Sequence, residues 1–137
     1  MNKSKILAFL NANPSCHLAT VEGNKPHVRG MRIYKADENG IILQTAKMKD
    51  LHKQLSENPN VELCFNNYKD NIQIRVSGTV ELVEDMDLKN EIIAKRQFLK
   101  PRIEKEGYEL AIYRLERGVA IVWTFETDLV PKTYIKL

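Results

Sequence analysis

The chain has 137 residues, of which 43% are apolar and 28% are charged, a balance typical of a single soluble globular domain over residues 1–137. Its 21 Lys and Arg residues against 18 Asp and Glu residues give a net charge of +3, too small to indicate nucleic-acid binding by itself. No apolar run reaches transmembrane length, and neither Cys16 nor Cys64 stands in a zinc motif. We therefore expect a cytoplasmic protein, without a membrane partner, whose two thiols are buried.

The periodicity of apolar residues predicts a strand-rich chain with three helices. Helices are expected over residues 4–11, about 48–57 and 85–98. Strands are expected over residues 16–22, 26–35, 41–45, 61–65, 72–83, 108–115 and 119–126, with a short last strand at 133–137. Many short strands joined by tight turns, with few helices, are typical of an antiparallel β-barrel with flanking helices.

The chain lacks the common catalytic and nucleotide-binding motifs. It contains no G-x-G-x-x-G segment, no P-loop and no G-x-S-x-G elbow. Its three histidines, His17, His27 and His52, do not have the spacing of metal ligands. Two basic segments, residues 25–32 and 44–50, are therefore the main candidates for a binding site.

The first basic segment covers the second predicted strand. Because side chains alternate along a strand, His27, Arg29 and Met31 share one face, and Arg32 belongs to the other face. Only one of the two arginines can therefore face a given pocket.

The second basic segment lies where a predicted strand ends and a helix begins. Thr45 offers a hydroxyl group, Lys47 and Lys49 offer positive charge, and the helix N-terminus offers free backbone N–H groups. Such a corner can bind a phosphate group. The alternative is that both lysines are solvated surface charges, although a Lys near a helix N-terminus is mildly unfavourable without an anion.

Four segments, taken in chain order, carry a resemblance to a known family. They are Ala19-Thr20-Val21 before a turn, Lys25-Pro-His-Val-Arg29, the strand and helix from Thr45 to Asn58-Pro59 with the strand that follows, and the strand from Ile72 to Glu81 with Gly78. Their order and spacing are similar to those of the pyridoxamine 5′-phosphate oxidase-related FMN-binding split-barrel proteins. The resemblance implies a mainly β fold, a β-barrel with flanking helices of the split-barrel type.

The resemblance also implies a homodimer with two FMN molecules at the subunit interface. Arg29 and the corner from Thr45 to Lys49 would hold the ribityl phosphate, with Arg29 and Lys49 as the main cations. Gln73 would contact the flavin from its own or from the second subunit, and Trp123 either flanks the flavin or is a core or interface aromatic. The cofactor-binding residues expected are Val28, Arg29, Gly30, Met31, Thr45, Lys47, Lys49, Gln73 and Trp123.

The last residues differ from those of pyridoxamine oxidases, which end with an Arg-Leu-His-Asp-Arg-like segment for the substrate phosphate. Residues 123–137 contain no Arg-His pair, so vitamin B6 oxidation is not expected. We expect an FMN-dependent oxidoreductase for a small organic substrate, because a flavin carries the redox chemistry without a protein acid or base. The alternative is a non-enzymatic flavin- or haem-binding carrier or redox sensor. Nucleic-acid binding is the least favoured reading, because the chain lacks a basic-aromatic stripe.

Overall fold

The computed structural model describes residues 1–137 and contains four helices and nine strands. The helices are α1 (Lys3–Ala12), α2 (Asp50–Glu57), α3 (Met86–Lys95) and α4 (Leu99–Lys105). The strands are β1 (Ser15–Glu22), β2 (Lys25–Arg32), β3 (Lys35–Asp37), β4 (Gly40–Ala46), β5 (Asn60–Asn67), β6 (Ile72–Val83), β7 (Leu110–Leu115), β8 (Val119–Thr124) and β9 (Ile135–Lys136). No helix combines the length and the apolar character that a membrane crossing would need.

All the strands belong to one antiparallel sheet in the order β2-β1-β5-β6-β7-β4-β3, with β8 added on β6 and β9 on β8. The long strand β6 joins the two halves of this sheet. Its residues 72–77 pair with β8, and its residues 80–83 pair with β7. The end strands β2 and β3 do not pair with each other, so the barrel is split rather than closed. The prediction of a mainly β split barrel with flanking helices is confirmed.

The main hydrophobic core lies inside the barrel. Alternate residues of the central strands point inward, so that Leu63 and Phe65 on β5 and Ile74 on β6 are fully buried. Helices α1 and α2 cover the core with Leu10 and Leu55. Burying a side chain of this size contributes about 1.5–3 kcal/mol, and this core therefore fixes the positions of the strands that border the site.

A second, smaller core lies on the outer face of β4 and β7, under helices α3 and α4. Ile42 and Ile112 from the strands pack with Leu88, Ile92 and Leu99 from the helices. Because both of its faces are covered, β4 is buried at successive positions rather than at alternate ones. This packing brings the connection between α3 and α4 close to the end of β2.

The structure differs from the sequence prediction at several places. The helix expected over residues 85–98 ends at Lys95, and Cys64 is half-buried rather than buried. Two further differences change the order of the elements. The strand expected over residues 26–35 ends at Arg32, because Ile33 N–H donates to Pro14 O while Tyr34 N–H donates to Ile42 O. After β2, the chain therefore leaves the edge of β1 and reaches the edge of β4, where it forms β3. The second difference is helix α4, which was not predicted from the sequence and which contains Pro101. A proline is tolerated there since it falls in the first turn of the helix.

Candidate functional site

A cleft of about 620 Å³ opens between strand β2, the end of β4 and the first turn of α2. Its volume is within the range of small-molecule sites. Six of the nine residues predicted from the sequence line this cleft: Val28, Arg29, Gly30, Met31, Thr45 and Lys49. The two basic segments, which are distant in sequence, therefore meet at one site, which we call the first cleft.

Arg29 is held in place by the elements that border the first cleft. It lies opposite Leu18 in the β1–β2 hairpin, on the inner face of the sheet. Its Nη1 donates to Thr20 Oγ1 at 2.8 Å and to Leu18 O at 3.3 Å, and its Nη2 donates to Gln54 Oε1. These bonds use three of the five guanidinium N–H groups, so two donors remain for a ligand.

Burial lowers the pKa of the Arg29 guanidinium, and the negative charge of Asp50 partly opposes this shift. An arginine stays protonated in proteins despite such a shift. The first cleft therefore contains a fixed, permanently charged guanidinium.

The residues that position Arg29 were not predicted. Thr20 and Gln54 are buried polar residues, with exposed fractions of 1% and 6%, and Thr20 Oγ1 donates to Gln54 Oε1 at 2.7 Å. A signal for Gln54 was present in the sequence, because it shares the buried face of α2 with Leu51 and Leu55. A polar residue at a core-facing helical position needs a hydrogen-bond partner.

The N-terminus of α2 forms the other side of the first cleft. Its N-cap residue is Lys49, whose extended backbone begins the helix but whose side chain makes no capping hydrogen bond. A Lys side chain has no acceptor atom and cannot bind the free N–H groups of the first turn. Asp50 in that turn gives a favourable interaction with the helix dipole. The corner combines an exposed ammonium group with backbone donors that the N-cap side chain leaves free.

A second cleft of about 600 Å³ adjoins the first and extends below the α3–α4 connection. The two clefts share the lining residues Met31, Gln44, Thr45 and Lys49. Gln44 Nε2 donates to Tyr108 Oη at 3.3 Å, whereas Gln44 Oε1 is buried and has no partner. An unsatisfied buried acceptor is costly, and a ligand N–H group or a water would satisfy it.

Three of the predicted site residues lie away from both clefts. Lys47 donates its backbone N–H to Glu109 O at 2.8 Å and lines a separate groove beside the start of α3. Gln73 and Trp123 are opposite each other on β6 and β8, and both are half-buried. Gln73 donates to Asn66 Oδ1 at 3.0 Å. Trp123 donates through its indole N–H to Asp128 Oδ1 at 2.6 Å. Within one chain these three residues do not reach the first cleft.

A family model described as pyridoxamine 5′-phosphate oxidase matches residues 3–112 of the chain. Among solved structures, a NimC/NimA family protein from Clostridium acetobutylicum has a TM-score of 0.76 at 24% identity, covering 98% of this chain and 92% of that chain. A pyridoxamine 5′-phosphate oxidase-related, FMN binding protein from Nostoc punctiforme has a TM-score of 0.64 at 18% identity, covering 98% and 95%. An FAD-binding protein from Mesorhizobium loti has a TM-score of 0.63 at 14% identity, covering 90% and 96%. A search of curated proteins finds no match. At these identities the structural likeness establishes the fold.

Proposed function

Because this chain belongs to the pyridoxamine 5′-phosphate oxidase family, whose model matches residues 3–112, we propose that it is a flavoprotein that binds FMN in the first cleft. The observation that carries the proposal is the hydrogen bonding of the Arg29 guanidinium. Three hydrogen bonds fix this group between strand β1 and helix α2, and two N–H groups remain unused. A guanidinium with two free donors can bind a phosphate in a bidentate manner.

The charges of the first cleft match those of the FMN phosphate. Arg29 and Lys49 together offset the two negative charges of a phosphate monoester, and the free N–H groups of α2 add backbone donors. Thr45, which also lines the cleft, adds a hydroxyl group. Asp50 is the one carboxylate in the lining. It lies in the first turn of α2, where its negative charge interacts favourably with the helix dipole.

The remainder of the first cleft suits a flat, largely apolar ring. A Cβ atom built at Gly30 would meet no other atom within 4 Å, so the glycine leaves open space along β2. Val28 and Met31 line the cleft on either side of it. Gln44 Oε1 is an acceptor without a partner, and a ring N–H group of a flavin would satisfy it. Relatives whose names include FMN binding and FAD-binding support a flavin as the ligand.

We further propose that the protein is a homodimer in which a second copy completes the site. Gln73 and Trp123 lie on the outer side of the sheet and do not reach the first cleft of their own chain. The segment after Trp123 carries apolar side chains with large exposed fractions, among them Phe125 at 73% and Leu129 at 96%. Exposed apolar side chains grouped in this way are typical of a protein interface.

The proposed activity is that of an oxidoreductase for a small organic substrate. When bound, the flavin supplies the redox chemistry. The residues of the chain bind the phosphate, orient the ring and exclude water from one side of it. Residues 123–137 contain no Arg-His pair, so pyridoxamine phosphate is not the proposed substrate.

The test is a comparison of FMN with riboflavin, which has the same ring and ribityl chain but no phosphate. Flavin fluorescence and absorbance give both dissociation constants. We expect FMN to bind at least about 100-fold more tightly, because the phosphate makes several charge-assisted hydrogen bonds. Equal affinities, or no binding of either flavin, would refute the proposal. Turnover of the bound flavin between a reductant and an acceptor would favour the enzyme over the carrier.

A further inference from the structure

The second cleft carries more positive charge than one FMN phosphate requires. Its lining contains five cationic residues and no acidic residue: Arg32, Lys49, Lys95, Arg96 and Arg102. Only Arg102 has a carboxylate partner, with its Nε 3.2 Å from Glu106 Oε2. With Lys49 assigned to the flavin phosphate, three cations without a carboxylate partner remain: Arg32, Lys95 and Arg96. Like charges without counter-ions destabilise one another, and this arrangement favours a second anion.

One of these cations is held in a fixed position. Arg96 Nη2 donates to Ile33 O at 2.8 Å and to Arg32 O at 3.5 Å, across the gap between α3 and the end of β2. Both Nη2 hydrogens are therefore used, and the three donors on Nε and Nη1 remain. Burial, followed by the charge of Arg32, lowers the pKa of Arg96, as expected for neighbouring cations without an anion.

The second cleft also presents an uncovered aromatic ring. Phe98, just before α4, has an exposed fraction of 56%. In contrast, the Tyr34 ring is covered by the Arg96 guanidinium at 5.4 Å, and the Tyr108 ring by Arg102 at 5.3 Å. An exposed ring among unpaired cations is the combination with which proteins stack a base and bind its phosphates.

We propose that the second cleft binds a nucleotide, with its base stacked on Phe98 and its phosphate groups bound by Arg32, Lys95 and Arg96. The proposal rests on the proposed function in one respect, namely that the FMN phosphate occupies Arg29 and Lys49 in the adjoining cleft. Such a nucleotide has two chemical sources. It is either the adenylate portion of FAD, whose other phosphate is the FMN phosphate in the first cleft, or a separate nucleotide cosubstrate.

The test is calorimetric titration of the FMN-loaded protein with ADP, AMP and adenosine. The main variant combines Arg32→Gln with Lys95→Gln, because both side chains are exposed and make no hydrogen bond or ion pair in the structure. Phe98→Leu removes the ring. Lys100→Gln is the matched control, because Lys100 lies on α4 but lines a different groove.

We expect ADP to bind to the parent protein at least about tenfold more tightly than adenosine does. This difference in affinity should largely disappear in the double variant. Phe98→Leu should weaken ADP and adenosine alike, by about tenfold. Lys100→Gln should change ADP binding by less than about twofold, and no variant should change FMN affinity by more than that. Substituting exposed side chains should leave the fold intact, which circular dichroism would verify.

Three results would overturn the inference. They are no ADP binding to the parent protein at millimolar concentration, displacement of FMN by ADP, and a loss of FMN affinity in the double variant. The last two would assign these cations to the flavin phosphate and leave the proposed function standing. Conversely, ADP binding to a protein that does not bind FMN would refute the flavin proposal alone.

The source of the nucleotide is decided by a second pair of titrations. If FAD binds more tightly than FMN and the double variant removes this advantage, the nucleotide is part of the flavin. If FMN and FAD bind equally and a nicotinamide dinucleotide binds to the FMN-loaded protein through the same residues, the nucleotide is a separate cosubstrate. Both outcomes support the second cleft as a nucleotide site.

Discussion

Replacing both cations of the first cleft, by Arg29→Ala together with Lys49→Ala, should remove the phosphate contribution to FMN binding. Arg29 is partly buried and has two free donors, so its charge-assisted bonds should contribute about 1.5–3 kcal/mol. Lys49 is exposed, and solvent screening limits its contribution to about 1 kcal/mol or less. The sum of about 2–4 kcal/mol corresponds to FMN binding that is roughly 30- to 1000-fold weaker.

Flavin fluorescence titrations with FMN and riboflavin separate this effect from a general change in the cleft. The double variant should lose most of the preference for FMN, whereas its riboflavin affinity should change by less than about threefold. Lys47→Ala is the matched control, because Lys47 lies two residues from Lys49 but lines a separate groove. It should leave FMN binding within about twofold of the parent. Unchanged affinities for both flavins would show that the phosphate is bound elsewhere, whereas an equal loss for both would show that the variant disturbs the cleft as a whole.

Further expectations follow from the packing and the charges. Gly40 has a φ of +121°, and a Cβ there would lie 2.5 Å from Leu115 O. Gly40→Ala should therefore lower the free energy of unfolding, measured in urea titrations, by about 2–4 kcal/mol. By contrast, Gly30→Ala should cost less than about 1 kcal/mol in the same measurement, because a Cβ meets no atom there. Burial raises the pKa of the Cys16 thiol to about 12, so this thiol stays protonated at about pH 8.5. Alkylation at that pH followed by mass mapping should therefore label Cys64 first. Sedimentation equilibrium should give twice the chain mass, and a monomer at micromolar concentration would contradict the proposed dimer.

The sequence predicts the strands and the two basic segments because the signals for them are local. Alternation along β2 places His27, Arg29 and Met31 on one face, and these three residues do line the same cleft. The change from strand to helical periodicity also locates the corner that contains Lys49. Periodicity does not give the direction of a side chain within a turn, however. Residues 47–49 form such a turn, and this explains why Lys47 and Lys49 were expected together but line different grooves.

The parts that could not be predicted depend on contacts between distant residues. Gln54 reaches Arg29 across 25 positions in the sequence, and no local pattern marks that pair. The same holds for Arg96, whose bond to Ile33 O spans 63 positions. Only the packing of α3 and α4 on the outer face of β4 brings this residue to the end of β2. The second cleft consequently had no counterpart in the sequence analysis.

Arg29 connects the stability of the fold to the binding of an anion. Its bonds to Leu18 O, Thr20 and Gln54 join strand β1 to helix α2, the elements that fix the two sides of the first cleft. Without a ligand, the guanidinium keeps a positive charge that burial makes less favourable. An anion that uses the two free donors would offset this cost in the folded state but not in the unfolded chain. Binding of the phosphate and docking of α2 therefore stabilise each other through one side chain.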